Sequence, residues 1–330
     1  MSRFLHWSLL AVSIASVFAT PLSTSPNFNV ESSPLTLAPL VAEDHPHGTI
    51  DNSYIVMFKD DLPMSVKDNH MNFLLAAHSD DPLFGDDFAG VTHVYDGHIT
   101  GYAGRFTQNV IEQIRRLPEV KFVEKDQIVR TQDIQRSAPW VCLPSVSMSM
   151  FTFSLIKGLA RISHRPKLTF GTFTKYEYDS DGGEGVDVYI IDTGIYVEHE
   201  EFQGRASWGK TIPDDVDVDG NGHGTHCAGT IASRKYGVAK KAHVIAVKVL
   251  GSNGSGTMSD VLEGVVWATT AAKTKDAAAS AEYAATGRTR HKGSVANMSL
   301  GGGKSPSLDQ AVDRASLAGL HFAVAAGNLL

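Results

Sequence analysis

Hydrophobic and polar positions alternate along this chain in two successive patterns. Between residues 53 and 131 short runs of period two give way to runs of helical spacing and back again. "SYIVMFK" reads as a strand, and "MSVKDNHMNFLLAAH" places Val66, Met71, Leu74 and Leu75 at helical spacing. "GVTHVYDGHITGYAGRF" predicts two strands around a turn at Asp96 and Gly97. "TQNVIEQIRRL" predicts a helix that starts at a Thr cap, buries Val110, Ile111, Ile114 and Leu117, and stops at Pro118. "VKFVEKDQIVR" closes as a strand. The order β-α-β-β-α-β is the split βαβ arrangement of a small α+β, ferredoxin-like domain.

From about residue 183 the strands become almost continuously apolar, as expected inside a parallel sheet. "GVDVYIIDTG" and "AHVIAVKVLG" are of this kind. A helix is predicted over "SDVLEGVVWATTAAK", with 275–292 as its extension and a surface loop. "SVANMSLGG" follows as a strand. A second helix is expected in "SPSLDQAVDRASLAG", opened by a capping box of Ser307 with Gln310 and ended by Gly319, before a last strand at "HFAVAAGN". Strands alternating with helices predict an α/β fold with a doubly wound parallel sheet. In such sheets the functional groups sit just past the carboxyl ends of strands, where Asp192, Ser299 and Asn328 fall.

Composition refines this picture in three ways. The 330 residues, 42% hydrophobic and 20% charged, suit one large domain or two smaller ones. A net charge of −7 argues against a nucleic-acid partner, and two cysteines, Cys142 and Cys227, exclude a disulfide scaffold. At the N-terminus Arg3, the apolar run "FLHWSLLAVSIASVFA", and Val17 with Ala19 meet the rules for a secretory signal peptide over residues 1–19. No later run reaches the ~20 apolar residues of a membrane span. The Pro/Ser/Thr-rich residues 20–52 are expected to be a disordered pro-segment.

The candidate chemistry gathers around "DGNGHGTHCAGT", residues 219–230. By propensity this glycine-rich run is a poor helix and a poor strand, yet it presents His223 on a backbone that others can approach closely. An Asp accepting from one imidazole nitrogen fixes the tautomer and frees the other nitrogen as a base, and Asp192 ends an apolar strand. Two other readings compete. His223 and His226 have H-x-x-H spacing, but no further ligands complete a zinc site, so no metal is assigned. Asp215, Asp217, Asp219 and Gly220 begin like a calcium loop, but its twelfth position, which needs a bidentate Glu, is His226. A solvated acidic loop is the better reading. Asn328, after "AVAAG", could donate a side-chain amide to a developing oxyanion.

Taken together, "DVYIIDTG", "NGHGTHCAGTIAS", "ANMSLGGG" and "FAVAAGN" resemble the subtilisin-like serine proteases of the proteinase K group, most of all the fungal vacuolar proteinase B branch. The resemblance implies that Asp192 is the triad acid, His223 the general base and Asn328 the oxyanion donor. It implies a substrate cleft with Gly254, Ser255 and Gly256 on one wall and Ser299, Leu300 and Gly301 on the other. Such walls would bind protein and peptide substrates by adding a strand. Residues 53–131 would be an inhibitory propeptide, an intramolecular partner that assists folding and blocks the cleft. Cys227 would be a free thiol beside the base, sensitive to mercurials. No cofactor is implied; calcium often stabilises the family, but no residues can be assigned to it here. The destination implied is the secretory pathway, the vacuole before the extracellular space.

Two departures qualify this. The family nucleophile is the Ser of a G-T-S-M motif, and no G-T-S occurs in the 330 residues, so the chain is expected to be inactive as it stands. A non-catalytic role, as a propeptide-type protease inhibitor or foldase fragment, is the alternative. The second departure is "VCLPSVSMSMFTFSLIK", residues 141–157, which interrupts the family pattern "APWGLARISH" within a processing linker at 132–157. Val-Cys can be encoded from a GT and Lys up to an AG, so a translated intron is expected there. Residues 158–330 would then be the N-terminal part of the catalytic domain.

Overall fold

The computed structural model describes residues 37–41, 45–83, 85, 89–131 and 158–326. The signal-peptide stretch, the linker with its 141–157 insert, and Asn328 lie outside the described residues.

The N-terminal domain contains β2 (Thr49–Phe58), α1 (Met64–Asp80), β3 (Gly90–Asp96), β4 (Thr100–Arg105), α2 (Gln108–Ile114) and β5 (Val120–Thr131), in the order the pattern predicts. Thr107 caps α2, accepting from Val110 N at 3.2 Å. An additional strand, β1 (Leu40–Val41), pairs in parallel with β5, so the sheet runs β1-β5-β2-β4-β3. Within 20–52, residues 37–41 and 45–52 are therefore ordered and not the disordered segment expected from composition. Ala38 donates its N–H to the Arg115 carbonyl and accepts from Arg115 Nε, both at 2.8 Å, which pins the segment to the end of α2. Composition alone cannot reveal such a tertiary anchor.

Every residue from Tyr54 to Phe58 is buried, so β2 is covered on both faces. Tyr54, Val56 and Phe58 pack with Leu74, Val110 and Ile111 of the domain's own helices. Ile55 and Met57 face the opposite way and share a core with Met258, Val261 and Val265 of the second domain. That shared core explains why "YIVMF" is apolar throughout rather than alternating.

The second sheet is wholly parallel, in the order β12-β10-β6-β8-β7. Its strands are β6 (Val186–Asp192), β7 (Ala206–Thr211), β8 (His243–Lys248), β10 (Gly293–Met298) and β12 (His321–Val324). Helix α3 (His223–Ala232) covers one face, where Ala228 and Ala232 meet Val188, Ile190 and Val244. Helices α4 (Met258–Thr286) and α5 (Pro306–Leu317) cover the other, which makes the sheet doubly wound as predicted. Strand β7 and the short strand β9 (Ser255–Thr257) are not predicted by the pattern, and the strand predicted at "SVANMSLGG" divides at Ser299 into β10 and β11 (Leu300–Gly301), which pair with different sheets.

The capping box expected at Ser307 is not formed. Ser305 is the cap of α5, its hydroxyl accepting from Leu308 N at 3.2 Å, and Ser307 bonds instead to Glu124 of β5. Among the described residues no helix is long and apolar enough to cross a membrane.

Candidate active site

Strand β6 delivers Asp192 to the carboxyl edge of the parallel sheet with no solvent exposure. Its backbone carbonyl accepts from Val249 N and Leu250 N, fixing the strand end against β8. Its side chain accepts from Thr193 N at 2.7 Å. His223 Nδ1 lies 2.8 and 3.0 Å from the two carboxylate oxygens, the pairing foreseen from the sequence.

His223 is the first residue of α3, so the run judged a poor helix is a helix start. Its cap residue, Gly222, sits in the left-handed region at φ 95° and has no side chain to satisfy the exposed N–H groups. Those groups find acceptors upstream of the helix: His223 N donates to Asn221 Oδ1, Gly224 N to Thr193 Oγ1 and Thr225 N to Asp219 Oδ2, while Asp219 Oδ1 accepts from Gly222 N. Gly224 is required by close approach: a Cβ there would collide with the Gly194 carbonyl oxygen. These compensations are tertiary, and propensity cannot register them.

The hydrogen bond that His223 makes to Asp192, then its contact with Cys227, raise the pKa of His223 to about 10 against the opposing effect of burial. The carboxylate against Nδ1 favours a proton on that nitrogen, so Nε2 is the nitrogen left to exchange a proton with a reacting group. Burial alone would push the Cys227 thiol up, but hydrogen bonds to His223 and His226 outweigh it and lower it. Its Sγ stands 3.9 Å from His223 Nδ1. Donor atoms of Asp192, His223 and Cys227 lie within 4.8 Å of one another. Among the described residues this trio, rather than the H-x-x-H pair, is the cluster whose spacing could hold a metal ion, and such an ion would take the Nδ1 lone pair that a proton shared with Asp192 otherwise occupies. The three Asp residues of the acidic loop are committed to protein donors. Asp215 pairs with the buried Lys248 at 3.2 Å, Asp217 accepts from Thr211 Oγ1 at 2.6 Å, and Asp219 serves α3.

Beside this dyad the last residues of β5 enter a cleft. On one side Ile128, Val129 and Arg130 pair antiparallel with Thr257, Gly256 and Ser255, and Thr131 N donates to Gly254 O at 2.9 Å. On the other side Arg130 and Thr131 pair with Gly301 and Leu300. Five of the six residues expected to form the walls therefore lie along β5: Gly254, Ser255, Gly256, Leu300 and Gly301. Ser299 stands just outside the ladder, and its hydroxyl donates to Asn297 Oδ1 at 3.2 Å. Asn328 is not among the described residues. The side chain of Val129 is wholly buried in the shared core.

Two acidic residues of β5 complete the docking, and the sequence reading missed both. Asp126 accepts from Ser259 N at 3.1 Å and Ser259 Oγ at 2.7 Å at the start of α4. Glu124 accepts from Ser307 N at 3.1 Å and from Ser307 Oγ at the start of α5. A carboxylate is stabilised at a helix N-terminus by the unpaired N–H groups and the macrodipole. Burial nevertheless pushes both carboxyls up in pKa, against the lowering effect of these donors. The signal available in the sequence was two acids, Glu124 and Asp126, at alternate positions of the strand "VKFVEKDQIV", hence on one face of it.

Comparison with known proteins places these features in context. Residues 183–329 match the Subtilase family, and residues 53–132 match Peptidase inhibitor I9. The subtilisin-like serine protease Pen c 2 of Penicillium citrinum is 50% identical, with 99% of this chain and 69% of that protein covered. Cla h 9.0101, a subtilisin-like serine protease of Davidiella tassiana, is 47% identical over 96% of this chain and 60% of its own length. A solved structure of a cold adapted subtilisin-like serine proteinase is 42% identical, covering 52% of this chain and 56% of that one, with a TM-score of 0.44. The chain thus spans between three fifths and about seven tenths of the length of these two curated relatives.

Proposed function

The chain belongs to the subtilase family of serine proteases and carries an I9-type propeptide domain, and from that premise we propose that Asp192 and His223 are the acid and base of an Asp-His-Ser triad. The complete protein would be an endopeptidase that cleaves peptide bonds by acyl transfer. In that reaction Nε2 of His223 takes the proton of the serine hydroxyl as its oxygen attacks the carbonyl, and then hands it to the departing amine. Asp192 holds the ring and stabilises the imidazolium. Asn328, with a backbone N–H, would hold the oxyanion. Protein or peptide substrates would occupy the strand position between Gly254–Gly256 and Ser299–Gly301 that β5 takes here.

The observation that supports this best is the bond from His223 Nδ1 to Asp192 beside a cleft already filled by an extended strand. No G-T-S motif occurs in the 330 residues, so in this chain His223 has no serine of the family type to deprotonate, and the chain by itself is read as catalytically silent. The test joins residues 1–326 to the remaining sequence of the Penicillium citrinum relative. The fusion should hydrolyse a peptide substrate and react with a serine-directed phosphonate, while the 330-residue chain does neither. Replacing His223 by Ala in the fusion should reduce turnover by about 10⁶-fold. An active fusion indifferent to His223 overturns the assignment.

A second reading is favoured by one observation, the lodging of Ile128–Thr131 in the cleft. Residues 53–131 would then act as an inhibitor of a related protease, or as a foldase. Titrating the isolated segment into an active relative distinguishes it: inhibition supports this role, and unimpaired hydrolysis excludes it. The signal-like stretch at residues 1–19 supports passage through the secretory pathway. Resemblance to the proteinase B branch supports the vacuole as the destination.

A further inference from the structure

Asp219 receives more hydrogen bonds than the acidic loop around it requires. Its Oδ1 accepts from Thr193 Oγ1 at 2.9 Å, Gly222 N at 2.8 Å and Asn221 N at 3.2 Å. Its Oδ2 accepts from Thr225 N at 2.9 Å and from Thr225 Oγ1. Thr193 Oγ1 in turn accepts from Gly224 N at 2.9 Å. Burial would raise this carboxyl, but the donors, led by Thr225, hold it below the ordinary range.

The placement of these donors is what matters. Thr193 follows Asp192 directly, and Gly222 and Gly224 flank His223, so one carboxylate is tied to the backbone on both sides of the dyad. Gly222 brings no capping side chain of its own, so the first turn of α3 leans on Asp219 twice: Thr225 N donates to it directly, and Gly224 N donates to Thr193 Oγ1, the hydroxyl that Asp219 orients. The same loop reaches the cleft wall, where Asn221 Nδ2 donates to Ser252 O at 3.1 Å.

We propose that Asp219 is the positioning residue of the dyad: by fixing Thr193 and the first turn of α3 together, it holds the imidazole of His223 on Asp192. This inference rests on the reading of Asp192 and His223 as acid and base. It assigns Asp219 no contact with substrate.

The test is nuclear magnetic resonance on the 330-residue chain labelled in histidine with ¹³C and ¹⁵N, with His223→Gln to assign the ring. The wild-type protein should show a protected Nδ1 proton and a titration midpoint far above that of a free imidazole. In Asp219→Asn the protected proton should be lost and the midpoint should fall by about one pH unit or more. Asp215→Asn, which disturbs the same loop at its contact with Lys248, should leave both signals in place. Should Asp219→Asn fail to melt cooperatively, Thr193→Val and Thr225→Val each remove one donor to Asp219 and should each weaken the proton's protection. A folded Asp219→Asn with wild-type His223 signals overturns the proposal, as do unchanged signals in both threonine variants. If the wild-type ring already titrates like free imidazole, it is the acid–base reading that falls, and the positioning role with it.

Discussion

Asp192 is a fully buried carboxylate, and such a group persists as an ion only when its neighbours replace water. Here Thr193 N and His223 Nδ1 do so. The histidine is the partner whose state changes with pH, and the sign follows from its direction. Its pKa is raised from 6.5 to about 10 on folding. The contact therefore stabilises the fold fully below pH 6.5, and that contribution is lost as the pH rises through about 10. Urea unfolding across this window should show wild-type stability falling with pH by more than that of Asp192→Asn, whose neutral amide cannot favour imidazolium. Parallel pH profiles for the two proteins would count against the pairing. Cys227 makes a second, independent reading possible. A thiol lowered by His223 should be alkylated by iodoacetamide near neutral pH faster in the wild type than in His223→Ala, read by mass spectrometry on the Cys227 peptide. Equal rates would show that the histidine does not tune the thiol. Asp192 and His223 were legible in the sequence because each stands in a local pattern: a strand end for one, and a glycine-flanked ring for the other. The role of Asp219 was not, because the same residue also fits a solvated acidic loop.

Helix starts show where local pattern stops being sufficient. The cap of α2 was read correctly at Thr107, since cap and acceptor lie within one turn. The box at Ser307 and Gln310 was misplaced by two residues because the serine that fits the motif is claimed by Glu124, which lies 183 positions away in sequence. Helix α3 was missed for the same kind of reason, its acceptors coming from outside the helical turn. Strands β9 and β11 are too short for any periodicity and exist as the two sides of β5. The start of α4 offers a direct measure of such cross-domain capping. Asp126 is 1% exposed and also accepts from Ser53 Oγ at 3.0 Å. Asp126→Ala leaves the Ser259 and Ser53 donors buried without an acceptor, and should destabilise the chain by about 1–3 kcal/mol in denaturant unfolding. Lys125→Ala, at the neighbouring position on β5, should stay within about 0.5 kcal/mol. Equal effects of the two substitutions would mean that the carboxylate does not serve the helix.

At the scale of the whole molecule, the two domains are distinct in sequence pattern but not in their cores. Ile55, Met57, Phe122 and Val129 of the first sheet are buried in one cluster with Met258, Val261 and Leu300 of the second domain. The pattern announced two folds correctly, since each keeps its own periodicity. It could not announce their union, because an apolar strand face looks the same whichever element covers it. The polar contacts reinforce this apolar seam: His93 Nε2 meets Asp260 at 2.9 Å, Lys121 donates to Gln310 at 2.7 Å, and Arg314 pairs with Asp60 at 2.5 Å. An interface built as a continuous core should survive the loss of its covalent tether, because burial holds it and the linker does not. Replacing residues 141–157 by the recognition sequence of a site-specific protease, and then cutting there, should leave the two pieces eluting together on size-exclusion chromatography. Thr131→Pro removes the N–H that donates to Gly254 and should loosen the end of β5 without separating the pieces, because the residues of the shared core are untouched. Met57→Asp places a charge within that core and should release the first domain after the cut. Fragments that part on cleavage of the unmutated protein would show that the linker, and not the shared core, keeps the first domain on the second.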